Sequence, residues 1–171
     1  MKKIFVFIGK PGVGKTTLID NIFNDYKKID VMPYVRNYLD KNTPGLIPEH
    51  KTIQGYKDMY DALRKIKAKE IVVELGTNHP TVNIDELKKL SQNYQVYLFL
   101  CTASIKTCHT RATSRNRFID PDSLEKRLRR DFPNSYLKLL QNTDLNYNQI
   151  NTEKPLEENI KIIEKIKKMP S

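Results

Sequence analysis

No stretch of this chain approaches 18 consecutive apolar residues, so no transmembrane helix is expected. Lys2-Lys3 and the five apolar residues behind them have the outline of a secretion signal. Gly9-Lys10 ends that run before a hydrophobic region of the usual length is complete, so no signal peptide is expected either. Cysteine is scarce: Cys101 and Cys108 lack C-x-x-C spacing and have no ligand-bearing neighbour beyond His109, which argues against a zinc site. A disulfide between residues on either side of a strand-to-helix turn would be an odd staple, so reduced thiols and a cytoplasmic setting are expected. Tryptophan is absent and the aromatics are mostly tyrosine, yet 39% of residues are hydrophobic and neither a low-complexity tract nor a fixed-period repeat interrupts them. That composition excludes global disorder and repeat architectures. Acidic residues are in deficit, 20 against 30 Lys plus Arg, for a formal charge of +10. The surplus favours polyanionic partners, nucleotides or nucleic acids, although lysines scattered along helices equally serve solubility.

What is present is organised around Gly9-Lys10-Pro11-Gly12-Val13-Gly14-Lys15-Thr16-Thr17. The pattern G-x-x-x-x-G-K-[ST] fits at Gly9, Gly14, Lys15 and Thr16, an apolar run (Ile4 to Ile8) feeds it, and a helical pattern leaves it, as a phosphate-binding P-loop requires. Glycines let the backbone turn so that its N–H groups converge on phosphate oxygens at the positive end of the following helix. Lys15 is then expected to reach the β- and γ-phosphates of ATP, and Thr16 to offer its hydroxyl to the accompanying Mg²⁺.

The rest of the chain alternates strands with helices. Continuous apolar runs at 4–8 and 96–101 read as strands covered on both faces, and Glu70-Ile71-Val72-Val73-Glu74-Leu75, β-branched at its centre, reads as a third strand. A short strand is expected at 29–32, which Pro33 makes an edge or terminates, and a polar last strand at 145–150. Helical spacing predicts helices over 15–27, 50–67, 85–93, from Ser104 as N-cap into 111–117, from Asp120 through about 131, over 135–141 and over 155–169. A short helix over 35–39 and turn chemistry at Asn42-Thr43-Pro44-Gly45 fall in an irregular, substrate-side region. The sum is an α/β fold: a doubly wound, mainly parallel five-stranded sheet with helices on both faces, in one domain over 1–171, with ligands at the carboxyl ends of the strands.

Together, the P-loop at residue 9, Glu74 at the end of the third strand and the Arg111, Arg115, Arg117 segment after the fourth resemble the small P-loop kinases. That group includes nucleoside, nucleoside-monophosphate and polynucleotide 5′-hydroxyl kinases. The resemblance covers nearly the whole chain in the order of its elements, and it implies the P-loop NTPase fold with an Arg-rich lid over about 111–121. It also implies ATP and Mg²⁺ as cofactors, a small-molecule acceptor, and no membrane. Two roles are open for Glu74: holding Mg²⁺ through water, or accepting the proton of the attacking hydroxyl. Asp30, on the second strand, is the alternative base and a candidate acceptor contact. Arg111 and Arg115 share a helical face with Arg117 just beyond, and guanidinium groups suit a phosphoryl group in transfer. Arg36 is a candidate for an anionic acceptor, and Asn151-Thr152 fall where similar kinases let a loop contact adenine. Tyr34 and Tyr38 flank Arg36 and are the better candidates for stacking on a base; Tyr56 and Tyr60 fit a core stripe.

Three functions follow from these residues. The leading one is an ATP- and Mg²⁺-dependent phosphotransferase acting on a nucleoside, nucleotide or related small acceptor. A polynucleotide or DNA-hydroxyl kinase is the alternative that the charge favours, and an NTPase module acting on a protein partner is the third. No guanine-specifying Asn-Lys-x-Asp segment is present, which weighs against the third. His50, His79 and His109 are scattered and receive no role.

Overall fold

The computed structural model describes residues 2–39, 47–115 and 120–169. Its centre is β1 (Lys2–Ile8), flanked by β3 (Glu70–Leu75) and β4 (Tyr94–Thr102), with β2 (Lys27–Asp30) and β5 (Asn146–Asn151) at the edges. All four pairings in the order β2-β3-β1-β4-β5 are parallel. The apolar runs explain the arrangement: the three central strands meet helices on both faces, whereas β2 and β5 each have one open flank and carry polar residues.

Alternation along β1 divides the core. Ile4, Val6 and Ile8 join Ile71, Val73, Leu98 and Leu100 on one face. That face is covered by α3 (Glu49–Lys65), α4 (Pro80–Ser91) and α7 (Asn134–Leu140), whose Tyr56, Tyr60, Leu63, Leu87 and Tyr136 are buried there. Phe5 and Phe7 point the other way and stack on Tyr97 and Phe99, with centroids 5.4 and 4.7 Å apart. Over them lie α1 (Lys15–Ile22), α5 (Ile105–Thr113), α6 (Pro121–Leu128) and α8 (Leu156–Lys167). The core stripe expected of Tyr56 and Tyr60 is present, and both rings are buried.

Several boundaries differ from the sequence expectation, and proline explains two of them. Pro33 does not end a strand but sits in the first turn of α2 (Met32–Arg36), where its missing N–H goes unneeded. Asp30 Oδ1 accepts from the Met32 amide at 2.9 Å and so marks the start of that helix, and β2 is displaced towards 27–30. Pro80 likewise opens α4 five residues before Asp85, behind His79 in the left-handed region at φ 50°. α1 stops at Ile22, because Phe23 (φ −126°, ψ 39°) leaves the helix to place β2 against β3. Ser104 does cap α5, accepting from the Thr107 amide at 3.2 Å. The turn at Asn42-Thr43-Pro44-Gly45 lies outside the described residues.

A buried polar knot fixes the loop after β3. Tyr60 Oη donates to Asn83 Oδ1 at 2.8 Å, and Asn83 Nδ2 donates to Tyr136 Oη at 2.8 Å and to the Asn78 carbonyl at 2.9 Å. Helices α3, α4 and α7 are therefore tied together beside the end of β3, where unpaired amides would be costly.

Candidate active site

The P-loop folds as it does because Gly9 and Gly12 have no room for a side chain and Gly12 and Gly14 take backbone that disfavours one. A Cβ on Gly9 would lie 2.7 Å from the Cys101 carbonyl oxygen, and one on Gly12 would lie 2.1 Å from that of Cys108. Gly12 and Gly14 also take φ of +72° and +103°, a region that L side chains disfavour. Gly14 caps α1 without any side-chain acceptor, which leaves the helix's first amides available to a ligand.

Lys15 is only 8% exposed. Its Nζ donates to the Gly9 carbonyl at 3.0 Å and the Lys10 carbonyl at 3.4 Å, and lies 3.8 Å from Glu74 Oε1. Burial pushes its pKa down and the Glu74 carboxylate opposes that shift. Thr16 Oγ1 donates to Glu74 Oε1 at 3.1 Å. The loop therefore presents a bowl of backbone that a Cβ would fill, beside a hydroxyl and a carboxylate. These residues fit a triphosphate and a hard divalent cation that takes oxygen ligands.

On one flank, β2 sets Asp30 in register with Glu74. Both line a recess of about 130 Å³ together with Thr16 and Lys28. One Asp30 oxygen is already engaged by the Met32 amide at the start of α2. Arg36 is exposed in the last turn of α2. Of the two tyrosines proposed to stack on a base, Tyr38 donates its hydroxyl to Asp58 at 2.5 Å and Tyr34 packs against the core. Sequence reasoning passed over three features here. The His79 ring meets Tyr56 edge-on at 5.3 Å, and burial lowers its pKa. Thr77 Oγ1 and Asn78 Oδ1 are buried with no hydrogen-bond partner among the described residues. Arg130 is partly buried near Tyr56 and Tyr136, and burial lowers its pKa. The one sequence signal was the Gly76-Thr77-Asn78-His79-Pro80 string directly after Glu74, because Asn and His tolerate left-handed backbone.

On the other flank, Arg111 does not swing free as part of a lid. Its Nη1 donates to the Val13 carbonyl and to Thr152 Oγ1, both at 3.2 Å, and its Nη2 donates to the Thr152 carbonyl at 3.1 Å. Thr152 Oγ1 in turn donates to the Val13 carbonyl at 2.5 Å. The P-loop, α5 and the segment after β5 are thereby joined around a cleft of about 450 Å³, lined by Gly14, Thr17, Arg111, Arg115, Thr152 and Asn159 among others. Asn151 contributes shape: its side chain accepts from the Glu153 amide at 2.9 Å, and its carbonyl accepts from Asn159 Nδ2 at 2.9 Å. Arg115 is exposed at the end of α5. Arg117 lies outside the described residues.

A parallel sheet with a glycine-rich loop and helix at the end of its central strand is the P-loop NTPase fold. Comparison with solved structures gives the same fold. A sugar kinase from Janibacter sp. has a TM-score of 0.63 at 14% identity, over 95% of this chain and 92% of that one. A shikimate kinase from Bacteroides thetaiotaomicron has 0.60 at 14%, over 98% and 99%. A deoxyadenosine kinase from M. mycoides, solved with the products dCMP and a flexible dCDP, has 0.54 at 16%, over 95% and 97%. Residues 5–132 match the family described as "ATPase family associated with various cellular activities (AAA)". The chain belongs to that family. It is also 28% identical over 92 residues to a Lon protease of Fusobacterium nucleatum subsp. nucleatum, a match that covers 54% of this chain but 11% of that protein.

Proposed function

We propose that this chain, working as one kinase domain over residues 1–171, transfers the γ-phosphoryl group of ATP, with Mg²⁺, to a hydroxyl or phosphate of a nucleoside, nucleotide or related small acceptor. The observation that carries this reading is the convergence of Lys15, Thr16 and Glu74 between two clefts, one on each side of the P-loop. In this reading Lys15 exchanges its carbonyl partners for phosphate oxygens. The Thr16 hydroxyl and the Glu74 carboxylate hold the metal, which when bound neutralises phosphate charge. Glu74, or Asp30 beside it, takes the proton of an attacking hydroxyl, and Arg115 and Arg117 meet the transferring group. Asp30 and Arg36 face the acceptor. Catalysis is then mainly positioning and charge neutralisation.

The AAA family match favours a second reading, an NTPase module that acts on a protein partner. One experiment separates the two. The protein and its Lys15→Ala variant are incubated with γ-labelled ATP and a panel of nucleosides, monophosphates, small hydroxyl metabolites and oligonucleotides. Label on a small acceptor, dependent on Lys15, is the expected result. Phosphate release that no acceptor captures would favour the NTPase module. Label on oligonucleotides, with binding that weakens by a log–log slope of about −0.7 per phosphate contact as salt rises, would favour the polynucleotide kinase to which the +10 charge points.

A further inference from the structure

We infer that Asn159 selects the base of the nucleotide, accepting the 6-amino group of adenine and rejecting purines that carry a 6-oxo group. This rests on the proposed use of the 450 Å³ cleft by a nucleotide donor. Asn159 is 2% exposed on the first half of α8 and lines that cleft. Its Nδ2 donates to the Asn151 carbonyl at 2.9 Å. A carbonyl oxygen only accepts, so the amide must turn its nitrogen to Asn151 and its oxygen away. Among the described residues no N–H or O–H donates to that Oδ1. That oxygen is not sealed from the solvent of the cleft, so a ligand donor arriving at this point replaces water and meets a fixed acceptor.

The geography of the cleft says which part of the ligand arrives there. Gly12 and Gly14 of the P-loop, where phosphates belong, share its lining with Thr17, Arg111, Leu156 and Asn159; Gly14 lies beside Thr152, and Asn159 is tied to the neighbouring Asn151. Leu18 and Leu156 supply apolar wall, and the planar Arg111 guanidinium is held by Val13 and Thr152. A flat base suits such a slot, with its edge meeting the one buried polar side chain of the lining.

A purine presents either a donor or an acceptor at position 6. The amino group of adenine completes the Asn159 oxygen, whereas the oxo group of guanine or hypoxanthine sets two acceptors against each other. Rotating the amide by half a turn would not rescue the 6-oxo base. The rotation would place Oδ1 against the Asn151 carbonyl, and Asn151 cannot retreat, because Thr152 beside it is pinned to Val13, Arg111 and Thr102. Lys154 at the rim is exposed and keeps its ammonium in water. Selectivity thus comes from a side chain whose orientation is set by a neighbour that never touches the ligand.

The test is equilibrium binding of three Mg²⁺ triphosphates that share ribose and phosphates: ATP, purine riboside triphosphate without a 6-substituent, and ITP with a 6-oxo group. Wild-type protein is expected to bind them in that order, with ATP at least about tenfold tighter than ITP. Asn159→Ala and Asn159→Leu are expected to bring ATP and ITP within about threefold of each other. If neither variant folds, the wild-type series decides alone. ATP and ITP binding equally to wild type would overturn the inference while leaving the kinase reading intact, as would a preference for ATP that survives in the folded variants. Failure of all three triphosphates to bind, with Lys15→Ala no different, would remove the nucleotide reading and this inference together.

Discussion

The Thr16 hydroxyl donates to Glu74 Oε1 at 3.1 Å across 58 residues of sequence, so the first turn of α1 and the end of β3 face each other directly. Substituting Glu74→Gln keeps the shape and a hydrogen-bonding oxygen but removes the charge. Turnover is expected to fall by about a hundredfold or more, while the ATP dissociation constant stays within about threefold. Steady-state kinetics beside direct binding checks this. Unchanged kcat would move the proton-accepting role to Asp30.

The two described arginines of the segment after β4 sit differently, and conservative substitution is expected to separate them. Arg111→Lys loses the fork that bridges Val13 to Thr152, so KM for ATP should rise about tenfold with kcat little changed. Arg115→Lys keeps the charge at an exposed position and should lower kcat about tenfold if the guanidinium grips the phosphoryl group in pairs. Equal kinetics for Arg115→Lys and wild type would make it a solvated helix end.

Gly12 and Gly14 share left-handed backbone but differ in space. The Gly12→Ala methyl would be driven into the Cys108 carbonyl at 2.1 Å, whereas at Gly14 the nearest atom is 3.7 Å away. Gly14→Ala should therefore cost only the backbone term, about 1–2 kcal/mol, and Gly12→Ala distinctly more. Denaturant midpoints that come out equal would contradict the geometry.

Burial pushes the Cys101 thiol up from 9.0 to about 12. The unfolded chain releases this proton from about pH 9 and the folded chain does not, so the contribution to stability is intact below pH 9 and is lost as pH rises towards 12. Stability measured by denaturant melts should decline with pH over this range, and less steeply in Cys101→Ala. A thiol reagent at pH 8 should react with the native protein far more slowly than with the unfolded chain.

What the sequence disclosed follows the physics of each segment. β1, β3 and β4 were legible because a strand covered on both faces has no polar alternation to preserve, and the P-loop because its glycines answer local backbone needs. Pro33 misled because proline ends strands and opens helices alike, and only the Asp30 carboxylate decides between the two; the start of α4 at Pro80 was missed because it depends on the His79 conformation. Lys15, Thr16 and Glu74 could be named because each lies at one end of a recognisable element, the first two opening α1 and the third closing β3 beside Leu75. The bridging position of Arg111 and the buried amide of Asn159 could not, because both depend on where β5 lies beside β4, a pairing between residues about 50 apart in sequence.

Thr152 ties the 450 Å³ cleft to Val13, 139 residues earlier in the chain. The P-loop and the wall opposite it are distant in sequence, because that wall belongs to the edge strand β5 and the segment leading into α8. Gly9 and Gly12 pack in turn against the Cys101 and Cys108 carbonyls, so neither the bowl nor the wall opposite it is complete until β4, α5 and β5 are in place. One cleft is thus assembled from segments at widely separated places in the sequence, and loosening the edge strand β5 would open it even with the P-loop intact.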